Sequence, residues 1–290
     1  MSASPTVTPL DRRLNAFRPD LADRRLEGKV EAERFVDGEL FHVAVPVARV
    51  HQAPDGSSGM DTQFLHGDHV RVFERSNGWA WVQAERDGYV GYVPDSSIDE
   101  GPFQATHVVC VPRTFVYPEP ELKKPASMTH SLGAQVRVVE EVETRGNRYG
   151  MLEDGRAIFL RHLRPIDSHA DDYVSVAEML IHTPYLWGGC SGFGIDCSGL
   201  VQLAMRMTGR TVIRDTDMQM TSIGTPLDSD LEELQRGDLV FWPGHVAIVT
   251  RPGEIVHANG FSMTVAIEPL DQAITRVEAL YSRPIACRRP

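Results

Sequence analysis

Apolar and polar positions change rhythm three times along the 290-residue chain. Leu10, Leu14, Phe17 and Leu21 form a short apolar stripe interrupted by Pro19. That stripe predicts one or two helical turns within residues 9–28, packed on a neighbouring element. From about Ala44 to Ile98 the rhythm shortens to alternating runs divided by turn residues: VARVHQ, HVRVFE, GWAWVQA and GYVGYV. Strand side chains alternate between faces, so these runs predict a small antiparallel barrel. A second set, from about Thr106 to Ile166, predicts another. Behind it, Asp171-Asp172 lead into VSVAEMLIH, a helical pattern ended by Pro184. Leu200, Val201, Leu203, Ala204 and Met207 recur at helical spacing after Cys197, and Gly209 closes that segment. Leu239–Phe241, His245–Thr250, Glu254–Ala258 and Arg276–Tyr281 read as strands, giving an α+β domain.

The two barrel regions align without a gap at a period of 66, since 133 − 67 = 66. Val50 meets Val116, Gly67 meets Gly133, Val70-Arg71-Val72 meets Val136-Arg137-Val138, and Glu74 meets Glu140. A tandem duplication accounts for this. On the same shift Arg145 and Asn147 stand where the first copy has Trp79 and Trp81. The first copy is therefore expected to hold function and the second to be structural, with Trp79 and Trp81 filling the barrel core.

A formal charge of −11 disfavours nucleic acid and anionic polymers as partners. The irregularly spaced Cys110, Cys190, Cys197 and Cys287 form no disulfide framework, and a reactive cysteine suits a reducing compartment. Asn15, Arg18 and Asp20 follow Arg12-Arg13 where a twin-arginine signal requires an apolar run, and no segment reaches transmembrane length. The cytoplasm is the expected location, with no membrane contact.

Chemistry concentrates in Thr183–Leu203. Cys197 follows a glycine-punctuated loop and opens a helix, where exposed N–H groups and the macrodipole favour thiolate. Asp196 and Ser198 flank it, placed to cap the helix or to meet a ligand. A thiol nucleophile needs a base within hydrogen-bond reach and a third group to orient that base. His245 opens one predicted strand and His257 lies on the next. A two-residue loop at Pro252-Gly253 would send the two side chains to opposite faces. An odd-length loop would pair His245 with Asn259 and leave both rings on one face, one diagonal step apart. The odd loop is expected, with Asn259 or a carboxylate as the other possible orienters. Zinc is the rival explanation of Cys190, Cys197, His245 and His257, but no compact Cys-x₂₋₄-Cys knuckle is present.

Three stretches carry a resemblance to bacterial SH3-like modules: Gln63–Val70, Gly78–Val82 and Asp87–Val93. The order Cys…His…His comes with Tyr185-Leu186-Trp187-Gly188-Gly189, Asp196-Cys197-Ser198-Gly199-Leu200, Gly237-Asp238-Leu239 and His245-Val246. In these motifs the chain resembles the NlpC-type cell-wall cysteine peptidases. With two SH3-like modules in front, it is similar to the γ-D-glutamyl-L-diamino acid endopeptidases of the dipeptidyl-peptidase VI kind.

The resemblance implies a papain-like catalytic domain over residues 168–290. Before it would come a helical segment (1–40) and SH3-like barrels at 41–103 and 104–167. It implies cleavage of free L-Ala-γ-D-Glu-L-diamino acid peptides, with meso-diaminopimelate or L-Lys as the diamino acid, in cell-wall peptide recycling. Neither cofactor nor metal is implied. By resemblance Cys197 is the nucleophile, His245 the base, His257 its orienting partner, and Tyr185 a donor to the oxyanion. Arg214–Gln219 is similar to the family's Arg-Asp-Ser-x-x-Gln segment, which places Asp215 beside the site and Thr216 where serine is usual. Trp187 and Ser198 join the substrate-binding set through their motifs. The α-amine of L-Ala is a cation, and Asp196, without a countercharge in sequence, is the first candidate to hold it, helix capping being its other role. Tyr89 and Asp61 match the positions by which the first SH3-like module closes the groove. Two other functions share these residues: a muramoyl-alanine amidase or acyltransferase, and a vestigial wall-peptide binding module.

Overall fold

The computed structural model describes residues 10–227 and 231–290, so residues 1–9 of the expected helical segment lie outside it. Between Leu10 and Val36 the chain forms no α-helix; it is a strap laid across the first barrel. Pro19 fixes its own φ and disfavours helical backbone at Arg18, which breaks the stripe before a turn can propagate. Phe17 bridges Ala22, Ala22–Asp23 pairs in parallel with Phe35–Val36, and one 3₁₀ turn at Arg24–Leu26 is capped by Asp23. The strap buries Ala16 and Leu21 against Phe73 and Trp81.

The first barrel is one seven-stranded sheet. In order its strands are Met60–Leu65, Val47–His51, Val90–Pro94, Trp79–Ala84, His69–Ser76, Glu39–Val43 and Ile98–Glu100. Val43, Val50, Phe64, Val70, Val82 and Val93 fill its interior. Along Trp79–Ala84, the residues Ala80, Val82 and Ala84 point inward, which sends Trp79 and Trp81 to the outer face. The two tryptophans are therefore not barrel core. Trp81 lies beneath the strap, with the Arg18 guanidinium 4.3 Å from its ring centroid.

The second barrel joins a five-stranded and a three-stranded sheet around Val109, Val116, Val136, Leu152 and Ile158. The period of 66 holds at Gly67 and Gly133, both left-handed at φ 80° and 84°. It fails at the next hairpin, which turns at Asn77-Gly78 in one copy and Arg145-Gly146 in the other. Two extra residues precede the second turn (145 − 77 = 68), so Asn147 and Tyr149 stand where Trp79 and Trp81 do.

The C-terminal domain has a six-stranded antiparallel sheet. Its order is Thr225–Leu227, Ala286–Arg289, Leu239–Trp242, His245–Arg251, Glu254–Asn259 and Thr264–Pro269. Helices α1 (Tyr173–Met179) and α2 (Cys197–Arg206) cover one face, on Phe241, Val246, Ile248, Val256 and Val265. A short α3 (Thr216–Ser222) flanks α2, and α4 (Leu270–Glu278) covers the other face through Leu270 and Ala273. The strand expected at Arg276–Tyr281 is instead the end of α4 and the turn after it. Leu270, Ala273, Ile274 and Val277 recur at helical spacing and seat on the sheet. No helix among the described residues is long and apolar enough to cross a membrane.

The first barrel is docked on α2 and the loop before it by buried polar contacts. Arg206 donates to Asp68 at 2.6 Å, Gln202 to Asp87 at 2.8 Å, and the Cys190 N–H to Gln63 at 2.9 Å. Gly188 sits at φ 72°, and a Cβ there would lie 2.5 Å from the Met60 carbonyl oxygen, so only glycine permits this approach of loop to barrel.

Candidate active site

Cys197 opens α2, and its thiol lies where the central strands part. The ladder between His245–Arg251 and Glu254–Asn259 pairs Ile248 with Val256 as its last rung towards the histidines. Beyond it the Val246 N–H turns to the Cys197 sulfur, and the Gly244 carbonyl lies 3.9 Å from Sγ. The Thr216 hydroxyl, at the start of α3, is 3.8 Å from the same sulfur.

The expected odd loop is absent. Arg251 pairs with Glu254 across a two-residue Pro252-Gly253 turn, and a bulge at Thr250 supplies the extra residue. The resulting register is the one sought, because 248 + 256 = 245 + 259. Nε2 of His245 lies 2.8 Å from Nδ1 of His257. Nε2 of His257 lies 2.6 Å from Oε1 of Glu268, on the strand Thr264–Pro269, and Arg276 of α4 grips both oxygens of Glu268. Burial acts against ionisation of Glu268, but the Arg276 and His257 hydrogen bonds hold its carboxyl down to about 2. A carboxylate only accepts, so His257 carries its proton on Nε2 and accepts at Nδ1. His245 then donates from Nε2 and keeps a lone pair on Nδ1, which has no partner among the described residues. Asn259, the other possible orienter, caps its own turn instead, accepting from Phe261 and Ser262.

Burial works against the thiolate that the helix terminus favours. Burial, then the Asp196 carboxylate, push the Cys197 thiol up to about 11, and the donors around it offset only part of this. Burial, with His257 and Arg276, lowers His245 to about 3. Burial thus opposes charge on both the thiol and the imidazole. Tyr185, raised to about 12 by burial and then by the Cys197 thiol, keeps its proton and remains a donor.

Asp196 does have a countercharge, contrary to expectation. Arg214, 1% exposed, donates to Asp196 Oδ2 at 2.7 Å. Gly188 N–H, Gly199 N–H and the Ser198 hydroxyl complete four donors on this carboxylate, which fills its lone pairs. Arg214 also reaches the Ser198 hydroxyl at 2.5 Å and Thr62 of the first barrel at 2.9 Å. Asp196 and Ser198 are thus tied into the support of the loop and helix. Trp187 stands at the rim, 70% exposed.

A different acidic group is open. Asp215 precedes Thr216, and its Oδ2 accepts from the Tyr89 hydroxyl at 3.2 Å, across 126 residues of sequence. Asp61 is close enough to raise Tyr89 further, and Gln52 donates to it at 2.6 Å. Burial and the neighbouring Asp215 raise the Asp61 carboxyl, while Arg214 and Arg13 oppose the shift. Sequence reasoning placed Tyr89, Asp61 and Asp215 near the site. It missed Glu268, Arg276 and Arg13; for Glu268 the readable signal was the alternation of Val265 and Ile267 before it.

Fold and site together define a cysteine peptidase with an appended SH3-like module. Residues 182–282 match the NlpC/P60 family model, and residues 50–98 match the bacterial dipeptidyl-peptidase Sh3 domain. Dipeptidyl-peptidase 6 of Lysinibacillus sphaericus is 30% identical over 251 residues, covering 79% of this chain and 91% of that protein. A γ-D-glutamyl-L-lysine dipeptidyl-peptidase of Bacillus cereus is 27% identical over 240 residues, covering 73% and 71%. A crystal structure of an NlpC/P60 family protein from Bacillus cereus shares the fold at a TM-score of 0.70 and 22% identity, over 86% of this chain and 99% of that one. The chain belongs to the NlpC/P60 family of peptidases.

Proposed function

We propose that the enzyme hydrolyses the γ-D-glutamyl–L-diamino acid bond of free stem peptides that begin with an unblocked L-Ala. The supporting observation is the pairing of Tyr89 with Asp215 one residue from Thr216, which itself touches Cys197. The first barrel thereby walls off one end of the groove with carboxylates, at a short fixed distance from the thiol. A carboxylate pair that includes a half-buried Asp61 selects a cation, and a free α-amine is one. A glycan-linked or N-acylated stem has neither that charge nor room to continue past the barrel.

Within this proposal, Cys197 Sγ attacks the γ-carbonyl carbon while its proton passes to His245 Nδ1. Tyr185 and the Cys197 N–H receive the developing oxyanion. The imidazolium, held by His257 and Glu268, returns the proton to the departing α-amine of the diamino acid as the C–N bond breaks. Water then adds to the thioester by the same base, and L-Ala-γ-D-Glu leaves. Because burial opposes a resting thiolate, loss of the Sγ proton accompanies its attack on the carbonyl carbon. The proposal includes cell-wall peptide recycling in the cytoplasm, supported by four cysteines free of disulfides, the working thiol Cys197 among them. Its test is a comparison of L-Ala-γ-D-Glu-meso-diaminopimelate with the N-acetylated tripeptide. Cleavage of the free peptide and a large loss in kcat/KM on acetylation are expected; equal rates overturn the amine subsite, and no cleavage of either overturns the substrate class.

A further inference from the structure

The strap brings a cation to the same carboxylate. Arg13 Nη1 donates to Asp215 Oδ2 at 2.8 Å, across 202 residues of sequence. Its Nη1 and Nη2 also bind the two oxygens of Asp217 at 3.0 and 2.7 Å, and Nε and Nη2 bind Asp11 at 3.2 and 2.8 Å. The backbone fixes this reach: the Arg13 carbonyl accepts from Val90 N–H at 2.8 Å, one residue beyond Tyr89, and the Leu14 carbonyl accepts from Gln83 at 2.8 Å. Farther along, Arg18 stacks on Trp81 and bonds Tyr92 and Glu74.

We propose that Arg13 is a positioning residue of the amine subsite, clamping Asp215 so that its second oxygen and Asp61 face the substrate's α-amine. This rests on the amine-subsite reading above. Two features distinguish a clamp from a plug that substrate must expel. All five guanidinium N–H groups are engaged, most of them by Asp11 and Asp217, so displacement would break several charge-assisted bonds at once. Only Oδ2 of Asp215 is used, by Arg13 and Tyr89 together, and Oδ1 has no donor among the described residues. The charged and titratable groups facing this spot are Arg13 and Asp11 from the strap, Tyr89 and Asp61 from the barrel, and Arg214 and Asp217 around α3. Arg13 is among the groups that oppose the upward shift that burial and Asp215 impose on the Asp61 carboxyl. A clamp therefore also extends amine binding to lower pH.

The experiment compares the full-length wild type with Arg13→Ala and Arg13→Lys on the free and N-acetylated tripeptides across pH. Arg13 is partly exposed, so loss of fold is not expected, and thermal melting of each variant verifies it. In Arg13→Ala, KM for the free tripeptide should rise roughly tenfold, the scale of one charge-assisted bond, with kcat little changed. The acid limb of kcat/KM should move to higher pH, and Arg13→Lys should restore most of that movement. Unchanged KM and pH limb in Arg13→Ala overturn the clamp alone, provided the wild type discriminates against acetylation. A lower KM overturns it in favour of a plug. Equal wild-type rates on the two peptides remove the subsite and the clamp together.

Discussion

Arg214 and Asp196 form a buried ion pair at the foot of the helix that carries Cys197, 2.7 Å apart. Asp196 raises the thiol pKa, Arg214 offsets part of that rise, and the pair fixes the loop. Arg214→Met should cost about 3–5 kcal/mol, the scale for leaving a buried charge unpaired. Urea denaturation measures it, and a loss below 1 kcal/mol would show that water solvates Asp196 in the folded protein.

Because burial raises the Cys197 thiol, iodoacetamide should alkylate wild-type Cys197 slowly at neutral pH, with a rate that climbs towards a midpoint at about 11. A plateau reached below pH 7 would mean a resting thiolate–imidazolium pair. Cys197→Ala should abolish turnover.

Glu268 fixes which nitrogen of each histidine carries a proton. Glu268→Leu should lower kcat by about 10²–10³-fold, the range for disabling a positioned base, with KM nearly unchanged. Glu268→Gln, whose amide oxygen still accepts, should keep much more activity. Equal kcat in all three proteins would separate Glu268 from proton transfer.

Tyr89→Phe and Asp61→Asn should raise KM for the free tripeptide and narrow its advantage over the acetylated one. The ratio of kcat/KM values reports this; an unchanged ratio in both variants would place amine recognition elsewhere.

Stability should fall earlier in acid than carboxylates alone dictate. Burial lowers His130 and His245 to about 3 from an ordinary 6.5, so between those values the unfolded chain binds protons that the fold refuses. Stability thus declines as pH drops from about 6.5 towards 3, and the Glu268 contribution is lost below 4.5. His130→Leu, away from the thiol, should flatten the slope of Tm against pH in that window. An identical slope would show that His130 is hydrated.

The juxtaposition of His245 and His257 was legible because strand alternation across one hairpin places both rings on one face. The two barrels were legible because alternation and duplication are patterns of adjacent residues. Glu268 was hidden because the sequence reading placed no strand over Thr264–Pro269, the strand that carries it to His257. Trp81 was misplaced because strand alternation gives two faces without saying which is inside, and only the strap decides that. Arg13 and Arg214 act across 202 and 152 residues, on Asp215 and Thr62, a separation at which neither periodicity nor propensity carries information.

The Tyr89–Asp215 contact gives the groove a ruler whose two marks belong to different modules. One mark, the thiol, is carried by a helix of the hydrolase; the other, the acidic stop, is completed by the barrel. Changing how deeply the barrel is seated would change the length of chain admitted without touching a single group that makes or breaks bonds. Under the proposed function, trimming short fragments and cutting polymers would differ by the angle of a neighbour.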